Sequence, residues 1–118
     1  MEISSLTLHR TRDLLRSKQV SPREVIEALS DRIENVDSKI HGYLSRDVEK
    51  AISDAEKADI NLPLGGIPIA IKDVINVAGH PCGCGSKILQ GYIAPYDATV
   101  ISRLRRAGAI PFGRANMD

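Results

Sequence analysis

The sequence predicts an α/β fold in which N-terminal helices pack on the beginning of a sheet with parallel strands. Three observations carry this. Through the first half, apolar residues recur at helical spacing. They then condense into one short run, Gly65-Gly66-Ile67-Pro68-Ile69-Ala70-Ile71-Lys72-Asp73-Val74-Ile75, in which nine of eleven residues are Gly, Pro or apolar. After it come a glycine-rich stretch, another helical pattern and a second apolar run, Ala109-Ile110-Pro111-Phe112. The order strand, loop, helix, strand is that of a right-handed crossover joining parallel neighbours.

Taken in order, the first short helix can be capped by Ser5 or Thr7 and has Leu8, Leu14 and Leu15 as apolar contacts. The second has a fuller start: Ser21-Pro22-Arg23-Glu24 places a cap, a proline at the first helical position and a Glu at the third. Val25, Leu29, Ile33, Val36 and Ile40 then follow at steps of four, four, three and four, one face of a helix. Its regular part is expected to end near Val36-Asp37, leaving Ile40 in the loop. A third helix is expected to start near Ser45 and to present Val48, Ala51, Ile52, Ala55 and Ala58. Asn61-Leu62-Pro63-Leu64-Gly65-Gly66 closes this half. Residues 1–60 thus form a helical segment and residues 65–118 a strand–loop–helix–strand unit.

In the second half, Ile67 to Ile75 reads as a strand buried on both faces, because it is rich in Ile and Val and lacks polar alternation. Gly79, Pro81, Gly83, Gly85 and Gly91 mark a long irregular stretch; in a compact domain such stretches are functional or disordered. Asp97 is expected to cap the next helix, with Ala98, Ile101, Leu104 and Ala107 inward and Gly108 as its stop.

The totals exclude several classes. Lys and Arg number 16 against 15 Asp and Glu, a net charge of +1, which gives no electrostatic footprint for nucleic acid or an anionic membrane. Arg103, Arg105 and Arg106 read as a solvated helix face rather than a nucleic-acid patch. One Phe, three Tyr and no Trp leave the core to aliphatic residues and provide no stacking platform for bases. The start, Met1 to Leu6, has neither a basic region nor an apolar core of a signal peptide. No apolar stretch approaches the roughly 20 residues that span a bilayer. Cys82 and Cys84 are one residue apart, too close for an unstrained disulfide, and a reducing cytoplasmic setting is expected. The chain stops at Asn116-Met117-Asp118, directly after a strand-like stretch. A truncated sequence is the expectation.

Lys72 is the outstanding side chain. A desolvated ammonium is disfavoured, and a lysine kept neutral is what base catalysis at a serine or carbonyl needs. The plain alternatives are an edge lysine that snorkels to water or one neutralised by Asp73, although successive strand residues point to opposite faces. Other motifs fail. Gly83-Cys84-Gly85-Ser86-Lys87 is not a phosphate loop, because Gly85 is followed by Ser86 and position 80 is His80. Ile88 breaks the Gly-x-Gly-x-x-Gly fingerprint. His80, Cys82 and Cys84 are too few and too close for a structural zinc site, which leaves small buried thiols. No Gly-x-Ser-x-Gly elbow surrounds any serine. His9 and His41 read as surface residues.

Four segments together resemble a known family: Gly66 to Asp73, Gly85 to Leu89, Ala94 to Val100, and Arg103 to Ile110 continuing into Gly113-Arg114-Ala115-Asn116-Met117-Asp118. In this order and spacing they are similar to the amidase signature family, most of all to its branch of A subunits of tRNA-dependent amidotransferases. The resemblance implies that residues 1–118 are the N-terminal part of a single amidase domain, truncated before the serine-bearing signature. It also implies that the helices pack on the start of a large mixed, mainly parallel sheet. It implies a triad of Ser, a second Ser in a cis peptide, and Lys, in which Lys72 is the general base and both serines are absent from this chain. Glutamine would be the amide donor and ammonia would pass to a B subunit, completing a heterotrimer with a C subunit. The polypeptide itself would hold no cofactor or metal; ATP and Mg would serve the B subunit in activating the glutamate on Glu-tRNA(Gln). The chain alone is expected to be inactive. A stand-alone amidase acting on small carboxamides and a non-catalytic binding module are the competing readings.

Overall fold

The structure is a computed structural model and describes residues 1–117. A 3₁₀ turn, Ile3–Ser5, precedes helices α1 (Leu8–Arg16) and α2 (Pro22–Ile40). A short strand β1 (Tyr43–Ser45) and helix α3 (Val48–Glu56) follow, then strand β2 (Pro68–Lys72), helix α4 (Thr99–Arg106) and strand β3 (Ile110–Ala115). The sheet is mixed, in the order β1-β3-β2, with β3 antiparallel to β1 and parallel to β2. The α/β class and the parallel crossover pair therefore hold.

Local chemistry accounts for most helix boundaries. Thr7, not Ser5, caps α1: its hydroxyl accepts from the Arg10 N–H at 3.2 Å. Ser21 and Glu24 form a reciprocal capping box at α2. Helix α2 runs to Ile40, past the expected end at Val36-Asp37, because His41 takes the left-handed conformation and its N–H bonds the Asp37 carbonyl. Ile40 is nevertheless exposed, so the extra turn adds nothing to the core.

Helix α3 starts at Val48 rather than near Ser45. Asp47 is its cap, accepting from Lys50 N–H at 3.0 Å, and Ser45 belongs to β1. Strand β1 has only three residues, too few for a period to show. Asp97 does not cap α4; Ala98 holds that position without a side-chain bond. Asp97 instead accepts from the Ala78 N–H at 2.8 Å and pairs with Arg105 at 3.4 Å, so it ties the loop after β2 to α4. Gly108 stops α4 at φ +94°, where a Cβ would lie 2.7 Å from Gly65 Cα. That close approach carries Leu64 N–H to Ala107 O at 2.7 Å and Gly66 N–H to Gly108 O at 3.0 Å. These two bonds align the starts of β2 and β3.

Three buried clusters fill the interior. Ile26, Ile33, Ala51, Ala55, Ile110 and Phe112 join α2 and α3 to one face of β3. Leu14, Leu15, Val20, Val25 and Ile67 pack α1 against α2 and the entry to β2. Ile71, Val77 and Ile101 seat α4 on β2. Phe112 also meets Tyr43 edge-on, centroids 6.3 Å apart, an arrangement that adds about 1 kcal/mol to the burial. Pro111 is tolerated in the central strand because the β2–β3 register shifts there: Ile69 opposes Pro111 and Ala70 opposes Gly113, a bulge where a missing donor costs little.

Strand β2 corrects one expectation. It covers Pro68 to Lys72, not Ile67 to Ile75, and it is not buried on both faces. Ile71 is buried while Ala70 and Lys72 are exposed. It is an edge strand of the three, and among the described residues only its Ile71 side is covered.

Candidate functional site

Because β2 and β3 are parallel, both end on the same side of the sheet, with Lys72 opposite Ala115. The carboxyl ends of parallel strands are where α/β folds place their ligands. Lys72 is exposed there, on the opposite pleat from buried Ile71. Its exposure corrects the reading of a lysine desolvated inside a strand: the face carrying it has no covering layer among the described residues.

The next residue turns the other way. Asp73 N–H bonds the Ala115 carbonyl at 3.2 Å, and Ile75 N–H closes a turn onto the Lys72 carbonyl at 3.0 Å. That turn drives the Asp73 carboxylate into the interior, 5% exposed, where Arg114 is 2% exposed. Arg114 Nε donates to Asp73 Oδ1 at 3.2 Å, and the Gly83 N–H donates to Oδ2 at 3.2 Å. A Cβ at Gly83 would stand 3.1 Å from that oxygen. Lys72 is therefore not neutralised by Asp73; Arg114 occupies the carboxylate.

The glycine-rich stretch is an ordered loop that folds back beside this pair. Gly79 N–H donates to Ala94 O and Ala94 N–H to His80 O, at 2.8 and 2.9 Å. Cys84 N–H donates to Asp73 O at 3.0 Å, and the Cys82 thiol reaches the same carbonyl at 3.5 Å. Cys82 is buried and Cys84 exposed, both free, so only one of the two thiols is the buried kind expected. Burial, then the hydrogen bond with Cys84, pushes the Cys82 thiol up from its ordinary value. His80 is held below its ordinary value by burial and then by the Arg114 charge. It borders a cleft of about 290 Å³ with Arg46, Asp47, Phe112 and Arg114.

The other motif residues are not drawn into a catalytic cluster. The Ser86 hydroxyl accepts from Ile88 N–H at 3.2 Å, a local turn. His9 and His41 are exposed. Among the described residues no group of three or more His, Cys, Asp or Glu side chains is placed to hold a metal, and no helix is long and apolar enough to cross a membrane. Asp118, the last residue of the matched tail segment, lies outside the described residues. Sequence reasoning missed Arg114 and its pairing, although a signal existed. Ile110, Phe112 and Arg114 alternate on the buried face of β3, so the period of two that placed Ile110 and Phe112 inward places the arginine there too.

A family model described as Amidase matches residues 24–118. Among curated proteins, the chain is 55% identical over 118 residues to the A subunit of glutamyl-tRNA(Gln) amidotransferase of Methylacidiphilum infernorum, covering all of this chain and 24% of that protein. It is 52% identical over 112 residues to the Akkermansia muciniphila protein of the same name, covering 95% and 24%. Among solved structures, 6-aminohexanoate cyclic dimer hydrolase superposes with a TM-score of 0.89 at 27% identity, covering 98% of this chain and 24% of that one. The glutamyl-tRNA(Gln) amidotransferase A subunit of Thermotoga maritima superposes at 0.79 and 26% identity, covering 100% and 24%. The chain thus spans about a quarter of the length of the relatives it matches.

Proposed function

The chain belongs to the amidase family, and from that premise we propose that it forms the N-terminal quarter of the A subunit of a glutamine-dependent amidotransferase, with Lys72 as general base. One observation carries the reading. Eight similar curated proteins, at 41–55% identity over 95–100% of this chain, each carry the name of the A subunit of glutamyl-tRNA(Gln) amidotransferase.

The chemistry proposed is hydrolysis of a carboxamide through an acyl-serine. Lys72, as base, takes a proton through the second serine, the nucleophilic serine attacks the amide carbon, the proton goes to the departing ammonia, and water then cleaves the acyl-serine to the carboxylic acid and free serine. Both serines come from outside residues 1–118. The residues present here hold the base: β2 brings Lys72 to the carboxyl end of the sheet, and the turn at Asp73, clamped by Arg114, fixes where that strand ends. Ammonia then passes to the B subunit of a complex with B and C, where ATP and Mg activate the glutamate of Glu-tRNA(Gln) in the cytoplasm.

The test uses the full-length protein that carries this segment. Ammonia release from glutamine, and formation of Gln-tRNA with ATP in the presence of the partner subunits, are the expected activities. Lys72→Ala lowers kcat/KM for glutamine by roughly 10³-fold or more. Unchanged kinetics would leave the binding-module reading in its place. The 118-residue chain alone is expected to release no ammonia.

A second reading has its own support, the closer superposition on the cyclic dimer hydrolase, 0.89, than on the Thermotoga protein, 0.79. Under it the protein hydrolyses small carboxamides unaided, and glutamine turnover is neither preferred nor stimulated by partner subunits.

A further inference from the structure

The loop after β2 brings together two thiols that the proposed reaction does not use. Cys82 and Cys84 lie with Sγ atoms 3.9 Å apart, one buried at 2% exposure and the other open to solvent. We propose that this dithiol is a reversible oxidation site, which hydroperoxides close to an intrachain disulfide against Asp73, the residue after Lys72.

Backbone freedom makes closure feasible. The sulfurs must approach to the bonded distance of about 2.05 Å, a shift of roughly 2 Å. Cys84 already sits in the left-handed region at φ +51°, between Gly83 and Gly85, the latter at φ +67°. Glycine on both sides lets the loop rearrange at little steric cost. A disulfide spanning a single residue is strained, and strain makes it easy to reduce. Such a bond works as a switch rather than as a staple.

The unequal burial sets the order of events. The exposed Cys84 thiolate attacks the peroxide, the O–O bond breaks, and a sulfenic acid and hydroxide form. The Cys82 thiol, shielded from bulk oxidant, then displaces the sulfenic oxygen as water. The balance is two thiols and one hydrogen peroxide giving one disulfide and two waters, and a dithiol reductant reverses it. Three polar tethers of this loop segment run to the residue after Lys72, Gly83 N–H to Asp73 Oδ2 and Cys84 N–H and the Cys82 thiol to Asp73 O, while Cys82 N–H donates to Tyr92 O and Gly83 O accepts from Ser86 N–H. Closure pulls Cys84 toward Cys82 and loosens those tethers. The effect on Lys72 rests on the function proposed above; the disulfide itself does not.

The test exposes the full-length protein that carries this segment to about one equivalent of hydrogen peroxide and follows free thiols, intact mass and the mass of the 82–84 peptide. Two thiols lost per chain, a mass lower by about 2 Da, a crosslink confined to the 82–84 peptide and full recovery with dithiothreitol are expected. Cys84→Ser, at an exposed position, should show no 2 Da loss. Running the reaction in urea as well, the native chain should close at least about tenfold faster than the unfolded one, because folding sets the sulfurs in contact. Sulfenic or sulfinic adducts without closure, dimers through Cys84, or equal rates in urea would each overturn the proposal. In the full-length protein, oxidation should lower glutamine turnover at least fivefold, reversibly, and Cys84→Ser should abolish that sensitivity. Absent glutaminase activity counts against the function and leaves the mass test to decide the switch.

Discussion

Arg114 and Asp73 form the most consequential pair of side chains in this chain. Both charges are almost wholly removed from water, and two of the guanidinium nitrogens, Nη1 and Nη2, have no protein partner among the described residues. A pair of this kind stabilises modestly as a whole but leaves a stranded charge when halved. Asp73→Ala should therefore cost about 3 kcal/mol in urea unfolding, while the double change Asp73→Leu with Arg114→Met should cost clearly less than that single change. Equal losses would mean the carboxylate works through Gly83 alone. His80 gives the pH counterpart. Its folded value lies below the ordinary 6.5, through burial and Arg114, with Arg105 and Lys50 acting in the same direction and Asp47 opposing. The unfolded chain then binds the proton more readily, so stability is complete above about pH 6.5 and is lost as pH falls below it. A Tm series from pH 7.5 to 5 should show this slope, and His80→Asn should flatten it.

At the scale of elements, capping decided where helices begin, and the sequence stated some caps openly. Ser21-Pro22-Arg23-Glu24 specifies its motif within four adjacent residues, so no distant contact was needed to read it. Ser21→Ala should cost about 1 kcal/mol, measurable as a lower urea midpoint at unchanged slope. Asp97 looked equally like a cap but was claimed by Ala78 N–H and Arg105, partners 19 and eight residues away. Local propensity cannot anticipate such a competition. Strand β1 was invisible for a similar reason: Tyr43, Leu44 and Ser45 are a strand only because β3 lies beside them. Gly108 shows the reverse case. Its role as a helix stop was legible, while its contact with Gly65 was not. Gly108→Ala should destabilise by more than about 1 kcal/mol, because the residue stands at φ +94° and the new Cβ meets backbone at 2.7 Å. Thermal unfolding of that variant checks the point.

For the whole molecule, β3 is the organising strand, paired on both sides and contributing Ile110 and Phe112 to the main cluster. Strand β2 is paired on one side, with Lys72 at its open end. Native-state hydrogen exchange should accordingly protect β3 amides more than β2 amides by at least about tenfold on average. Comparable protection would mean that the free edge of β2 is covered, for instance by a second copy of the chain. The α/β class, the helices of the first half, the parallel strand–crossover–strand unit and the family are legible in the residues alone, because each is written in short-range periodicity or contiguous motifs. The sequence also singled out Lys72 as the side chain to watch. Which face of β2 is covered, the exposure of Lys72 among the described residues, and the pairing of Asp73 with Arg114, 41 residues away, came from the packed chain. Burial and ion pairing depend on what packs alongside, and a one-dimensional pattern records what a residue is, not what stands against it.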